Sequence, residues 1–471
     1  MAVRTNVIES VNPATEEVLA TFEAMTDRDV DAALEDAARG FATWRQTSFA
    51  ERTDRLRALA RVLRGNSERY ARLITLEMGK PITEAKAEIE KCAWNCEYYA
   101  EHGEEYLRDM PIPTNARKSV VAFEPLGVIL AVMPWNYPFW QVIRFAAPAL
   151  MAGNGAVLKH ASNVPQSALA LEEAIREAEF PEGLFRTLLI QGAAAERVIT
   201  DPRVRAVTLT GSSTTGQRIA EIAGRVLKKA VLELGGSDPF VVLADADVTA
   251  AATTGARARN QNTGQSCIAA KRFIVVDRVA EDFERRFADA VRSLKIGDPL
   301  DAATNVGPLA RADLRDALER QVRDSLRMGA RIVVGGKRWG ERGHFYEPTI
   351  LADVTDDMPV FSEETFGPVA ALRTVRDTDD AVRVANDSPY GLGASLWTRD
   401  ADLGVQVARR IEAGNVFVNG MVASDPRLPF GGVKQSGFGR ELSVFGIREF
   451  VNIQTIWVGP AAGSQQSAPA E

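Results

Sequence analysis

The sequence predicts an α/β fold of two lobes, each a parallel sheet covered on both faces by helices. Three observations predict it. Short apolar runs alternate with helical stretches from Ser119 onward, a second block of the same alternation begins near Phe240, and a helical region, 26–107, precedes both. Strand–helix–strand alternation implies crossovers that cover a parallel sheet. Two such lobes in one chain normally hold their site between them.

Within the helical region, Ser48 and Glu51 form a capping box ahead of Leu56, Leu59, Ala60 and Leu63 at helical spacing. Ser67 is positioned to cap the next helix, Gly79 ahead of Pro81 stops it, and Pro81 suits the first turn of a third helix running to Leu107. Cys92 and Cys96 lie one turn apart on that helix and read as core thiols, because one such pair supplies only two metal ligands. In the first lobe the expected strands are 128–133, 156–159, 187–190, 206–210 and 230–234, with helices over 165–179 and 214–224. In the second they lie near 240 and at 273–277, 331–334, 370–375 and 416–419.

Composition removes several function classes. The chain has 471 residues, room for about three domains. It is 46% apolar and 25% charged, the balance of a globular protein. Lys plus Arg number 56 against 63 Asp plus Glu, a net charge of −7, so nothing in the overall field draws it to nucleic acid or to an anionic membrane. The most apolar run, 126–135, is about half of the roughly 20 residues that a spanning helix needs. The first residues carry Arg4 and Glu9 without the apolar core of a signal peptide, so the cytoplasm is the expected compartment. Cys92, Cys96 and Cys267 are too few for a disulfide framework, and His102, His160 and His344 are scattered, so no metal site is expected. The segment 459–471, rich in Ala, Ser, Gln and Gly, reads as a disordered tail.

Four motifs could carry chemistry. The turn Thr210–Gly211–Ser212–Ser213 follows a strand and opens a helix, where free N–H groups bind phosphate; it reads equally well as a capped loop. Cys267 ends a run of amides, hydroxyls and glycine (Asn260 to Ser266), unlike a thiol set among core residues, although an inert buried thiol stays open. Glu233 sits among apolar neighbours before Gly235 and Gly236, where burial would raise its pKa towards general-base use; a surface Glu beside a tight turn is the other reading. In Pro134–Trp135–Asn136–Tyr137–Pro138, two prolines hold an Asn amide that could donate to an oxyanion, or simply form a packed aromatic turn. A G-x-G-x-x-G fingerprint is absent.

Taken together and in this order, the motifs resemble the aldehyde dehydrogenase superfamily. They are Pro134–Trp135–Asn136, Lys159, Thr210–Gly211–Ser212, Glu233–Leu234–Gly235–Gly236, Gly264–Gln265–Ser266–Cys267, Glu364–Thr365–Phe366–Gly367–Pro368, Asn419–Gly420 and Pro429–Phe430–Gly431–Gly432, and they span most of the chain. The resemblance implies an aldehyde-dehydrogenase-like fold: two doubly wound α/β lobes, for cofactor and catalysis, plus a β-extension for oligomerisation. It puts the cofactor domain at 1–106 and 126–235, the catalytic domain at 236–450 and the oligomerisation strands at 107–125 and 451–458. The last of these alternates polar with apolar residues, as a half-exposed strand would. A homodimer or homotetramer is implied.

By the same resemblance Cys267 is the nucleophile, Glu233 the general base and Asn136 the oxyanion donor. The presence of Glu233 favours hydrolysis to a free acid over transfer to coenzyme A. Trp135, Asn136, Gly211, Ser212, Ser213 and Leu234 would line the cofactor, Lys159 would reach its adenosine ribose, and Glu364 and Phe366 its nicotinamide end. Ser162 stands where NAD-preferring relatives often carry a Glu, which removes a clash with a 2′-phosphate, so NADP is preferred and NAD is the second choice. Longer stretches look like bacterial succinate-semialdehyde dehydrogenases, with Arg144 matching the carboxylate-binding arginine and Trp140, Ser424 and Phe430 also at the substrate. Gln261 replaces a second arginine found in some relatives; Arg257 and Arg259 are the neighbouring candidates to compensate. Ile268–Ala269 after the nucleophile leaves no local disulfide switch. The rivals are a dehydrogenase for glutarate semialdehyde or general aliphatic aldehydes and, remotely, a non-catalytic protein that keeps the fold.

Overall fold

The computed structural model describes residues 7–459; the predicted tail, apart from Gly459, lies outside them. Among these residues the chain builds two large sheets. The first orders its parallel strands Lys229–Glu233, Val204–Thr210, Val128–Met133, Gly155–His160 and Phe185–Thr187, and the short strand Gly437–Phe438 adds antiparallel to Lys229–Glu233. The second runs Arg331–Val334, Thr349–Ala352, Val369–Val375, Ala270–Val276, Asp238–Val242, Gly393–Trp397 and Asn415–Val418, parallel except for the first pair. Both central strands, Val128–Met133 and Ala270–Val276, are buried almost throughout, as strands sandwiched between helices must be.

The N-terminal helices form as the sequence dictates. Thr26 and Ser48 close capping boxes with Asp29 and Glu51, and Gly79 caps the helix Ser67–Met78. Helix Ile82–Leu107 buries Cys92 and Cys96 in the core, with Pro81 standing just before it as a non-helical N-cap rather than in its first turn, where the sequence places it. Ser67 is not the cap: Asn66 alone separates two helices, ending one and starting the next, which puts Ser67 inside the first turn.

Three further differences have physical causes. The expected strand at 187–190 ends at Thr187, because the Leu189 carbonyl accepts from Met25 N (2.8 Å) and the chain leaves the sheet to join the N-terminal segment. A hairpin, Val7–Val11 with Val18–Glu23, precedes the helices and had no counterpart in the sequence reading. The strand Val451–Val458 pairs over its whole length with Lys118–Pro125, but it is exposed on both faces from Asn452 onward, not on one. Among the described residues, no layer covers the three-stranded sheet that it forms with Lys118–Pro125 and Met110–Pro111 at that edge. No helix among the described residues is long and apolar enough to cross a membrane.

Candidate active site

The nucleophile loop is set by its backbone before any side chain acts. Asn262, Thr263 and Gly264 all take positive φ (54°, 55° and 72°), an unfavourable run for non-glycine residues. Glycine is required at 264, since a Cβ there would lie 2.4 Å from the Gly367 carbonyl oxygen. This close approach joins the Gly264–Cys267 and Glu364–Pro368 motifs. The strain is held by hydrogen bonds. Asn262 N donates to Glu84 (2.6 Å), Arg259 donates to the Gly264 carbonyl (2.6 Å), and Lys271 Nζ donates to the carbonyls of Cys267 (2.8 Å) and Ser266 (3.0 Å).

Cys267 is half-buried on the wall of a cavity of about 360 Å³, within the usual range for a small-molecule site. Trp140, Arg144, Ser424 and Phe430 line the same cavity, so the predicted substrate residues meet around the thiol. Burial pushes the thiol up to about 12, against the pull of Arg144 and Lys271. Arg257 and Gln261 also face this cavity, whereas Arg259 is fully buried beneath the loop.

Arg144 is already engaged. Its Nε is ion-paired with Glu441, its Nη2 donates to Thr210 Oγ1 (3.2 Å), and its guanidinium lies 4.8 Å from the centre of the Phe430 ring. Glu233, the last residue of its strand, is buried beside this pair, and among the described residues neither carboxylate oxygen has a hydrogen-bond partner. Burial first, and then the neighbouring Glu441, hold its carboxyl well above the usual range, with Arg144 and Arg440 opposing. Its space depends on Gly431, where a Cβ would lie 2.8 Å from Glu233 Oε1. The surface-Glu reading is therefore set aside. Glu233 is not on the cavity wall, and neither is Asn136. The Asn136 amide donates to the Gln265 carbonyl (3.0 Å), and Asn262 donates to the Asn136 carbonyl (2.8 Å), tying the aromatic turn to the nucleophile loop.

The predicted cofactor residues come from both lobes, Glu364 and Phe366 from the loop before Val369–Val375 in the second and the rest from the first. Ser212 caps the helix Ser213–Arg225 through Thr215 N, and Gly211 N donates to the Glu233 carbonyl (3.0 Å), so the phosphate-type turn and the Glu233 strand end are one unit. Ser213 Oγ donates to the Gln435 carbonyl (3.0 Å), and Leu234 is buried against Gly216. Trp135 and Phe366 meet edge to face at 5.7 Å, and Glu364 accepts from Gly236 N (2.9 Å). Lys159 is the penultimate residue of its strand; burial alone lowers its pKa, and Ser162 is exposed three residues on. A desolvated ammonium, a nearby exposed hydroxyl and a capped helix N-terminus form a donor set for phosphate groups, which a phosphorylated dinucleotide fits.

Sequence reasoning missed the residues that support this site. Glu88 accepts from the N–H groups of Phe139 and Trp140 (2.9 and 3.0 Å) and pairs with the buried Lys80, whose ammonium lies 3.6 Å from the centre of the Tyr137 ring. Lys91 enters the cavity from the same helix.

Two lobes with a thiol between them, a phosphate-type turn on one lobe and a buried carboxyl at its edge define a nucleotide-dependent enzyme of covalent thiol chemistry. Residues 2–456 match the profile of the Aldehyde dehydrogenase family. The chain is 51% identical over 451 residues to a probable succinate-semialdehyde dehydrogenase [NADP(+)] of Synechocystis, covering 96% of this chain and 99% of that protein. It is also 51% identical over 454 residues to succinate-semialdehyde dehydrogenase [NADP(+)] 1 of Mycobacterium bovis, with the same coverage. The crystal structure of succinic semialdehyde dehydrogenase from Streptococcus pyogenes in complex with NADP+ superposes with a TM-score of 0.94 at 40% identity, over 96% of this chain and all of that one. The chain belongs to the aldehyde dehydrogenase family, and its substrate is accordingly a small-molecule aldehyde.

Proposed function

We propose that the protein oxidises succinate semialdehyde to succinate with NADP, NAD serving less well. The observation that carries this reading is that Cys267 shares one cavity with Arg144 and Ser424, so an aldehyde at the sulfur can have its far end among cationic and hydroxyl groups. Lys159 and Ser162 would hold the 2′-phosphate, the Gly211–Ser213 turn the pyrophosphate, and Trp135, Leu234, Glu364 and Phe366 the remainder. When bound, the cofactor supplies a hydride acceptor and a positive ring.

Cys267 loses its proton and its sulfur bonds to the aldehyde carbon, giving a thiohemiacetal. Asn136 Nδ2 and the Cys267 backbone N–H hold the resulting oxyanion, which asks the amide to leave the Gln265 carbonyl. Collapse of the oxyanion releases the hydrogen with its electron pair and leaves a thioester on Cys267. Glu233 then takes a proton from water as the water oxygen attacks the thioester carbon; the C–S bond breaks and the acid departs. That role requires the Glu233 carboxyl to turn from Glu441 towards the cavity, and Gly431 leaves room for the movement.

We also assign the oligomerisation strands to 107–125 and 451–458, the cofactor domain to 1–106 and 126–235, and the catalytic domain to 236–450. The uncovered edge strand, with Ile453 62% and Trp457 49% exposed, supports assembly into a dimer or tetramer. Three free thiols suit the reducing cytoplasm. Gln261 and the engagement of Arg144 with Glu441 favour a second reading, broader use of glutarate semialdehyde and uncharged aldehydes. Following NADP reduction with succinate semialdehyde, glutarate semialdehyde and butanal tests the assignment. The four-carbon acid should give the highest kcat/KM, and butanal outperforming both acids would overturn it.

A further inference from the structure

The cavity holds a cation that the resemblance does not account for. Lys91 extends from the helix Ile82–Leu107, donates from Nζ to Ser424 Oγ (2.8 Å) and lies 4.4 Å from the centre of the Trp140 ring. It has no ion-pair partner among the described residues. The carboxylates around it are committed elsewhere: Glu88 to Lys80 and two backbone N–H groups, and Asp425 to Arg427 (2.7 Å). Arg144, on the wall of the same cavity, is ion-paired with Glu441. A part-buried ammonium without a counter-ion is costly, and one carboxylate brought in by a ligand would relieve that cost. Because Ser424 Oγ accepts from Lys91, its own hydrogen is free to be donated to a second carboxylate oxygen.

We infer that Lys91 takes the distal carboxylate of the semialdehyde, with the Ser424 hydroxyl as second donor, and thereby sets the preference for acid-terminated aldehydes. The assignment rests on the substrate reading above and names its specificity-determining residue. Its pH behaviour follows from the surroundings. Burial and the Arg144 charge bring the ammonium down to about 8, against Asp425 on the facing loop and Glu88 and Cys92 on its own helix. Lys91 is charged below that pH and grips the anion; above it the grip is lost.

The test uses the full-length enzyme with NADP and compares kcat/KM for succinate semialdehyde with that for butanal, which has the same chain length and no charge. Lys91→Met should lower the acid-to-butanal ratio about 10- to 100-fold, mainly through KM of the acid, as expected for a lost charged hydrogen bond. Lys91→Arg should keep the ratio within about threefold. The wild-type ratio should fall above pH 8, and that of Lys91→Arg should stay level. An unchanged ratio in a folded, NADP-binding Lys91→Met enzyme overturns the assignment. If that variant does not fold, a wild-type decline persisting in Lys91→Arg overturns it instead. A wild-type enzyme without preference for the acid would defeat the substrate reading itself, and this assignment with it.

Discussion

The wall behind Cys267 and the groups proposed to react differ in how fully their polar atoms are matched. Behind the thiol, Lys271, Glu84 and Glu88 spend their donors and acceptors on backbone groups of the loop and of the adjoining helix. Arg259 and Asn262 hold the loop through one side-chain nitrogen each and, among the described residues, leave Arg259 Nε and Nη1 and Asn262 Oδ1 buried without partners. Among the reacting groups, both Glu233 oxygens and Asn136 Oδ1 are buried without partners. Matched polar groups rigidify a backbone, whereas unmatched buried ones are costly and persist where a ligand or water completes them. One region holds a strained loop in place; the other keeps its valences for chemistry.

Substitutions on the two sides should therefore separate stability from activity. The largest effect on stability is expected for Glu88→Ala, which leaves Lys80 buried without its counter-ion and removes two backbone acceptors. It should lower the unfolding free energy by about 3–5 kcal/mol, read from the urea midpoint. A loss under about 1 kcal/mol would break the comparison. An intermediate effect concerns Cys267. With the thiol held near 12, its alkylation by iodoacetamide should rise about tenfold per pH unit from 7 to 9 without levelling, and NADP should accelerate it by stabilising the thiolate. A plateau near neutral pH in the free enzyme would mean that the thiolate is preformed. The smallest effect is expected for Glu233→Gln, whose stability should stay within about 1 kcal/mol of the parent. Glutamine keeps the shape of the buried side chain and adds no charge to a site where burial already disfavours one.

Much of this was legible in the chain. Strand 128–133 and the capping box at Ser48 needed only local pattern, and Cys267 stood out because amides and hydroxyls precede it. The hairpin at Val7–Val11 was hidden because its alternation spans only a few residues and its burial depends on helices that come later in the chain. Lys91 was hidden for a different reason. It sits beside Cys92 on a helix whose periodicity reads as core, and its partner Ser424 is 333 residues away. The engagement of Arg144 with Glu441 is equally non-local, so the sequence supplied the arginine but not its occupancy. Motifs reveal groups whose chemistry is local; pairings across the cavity require the fold.

The central claim is that the substrate becomes bonded to Cys267 before water releases it. Glu233→Gln enzyme given NADP and succinate semialdehyde, then digested and analysed by mass spectrometry, tests this directly. The account predicts one succinyl group on the peptide carrying Cys267 and about one cofactor reduced per subunit before turnover slows. An unmodified Cys267 peptide from enzyme that continues to reduce NADP would contradict it.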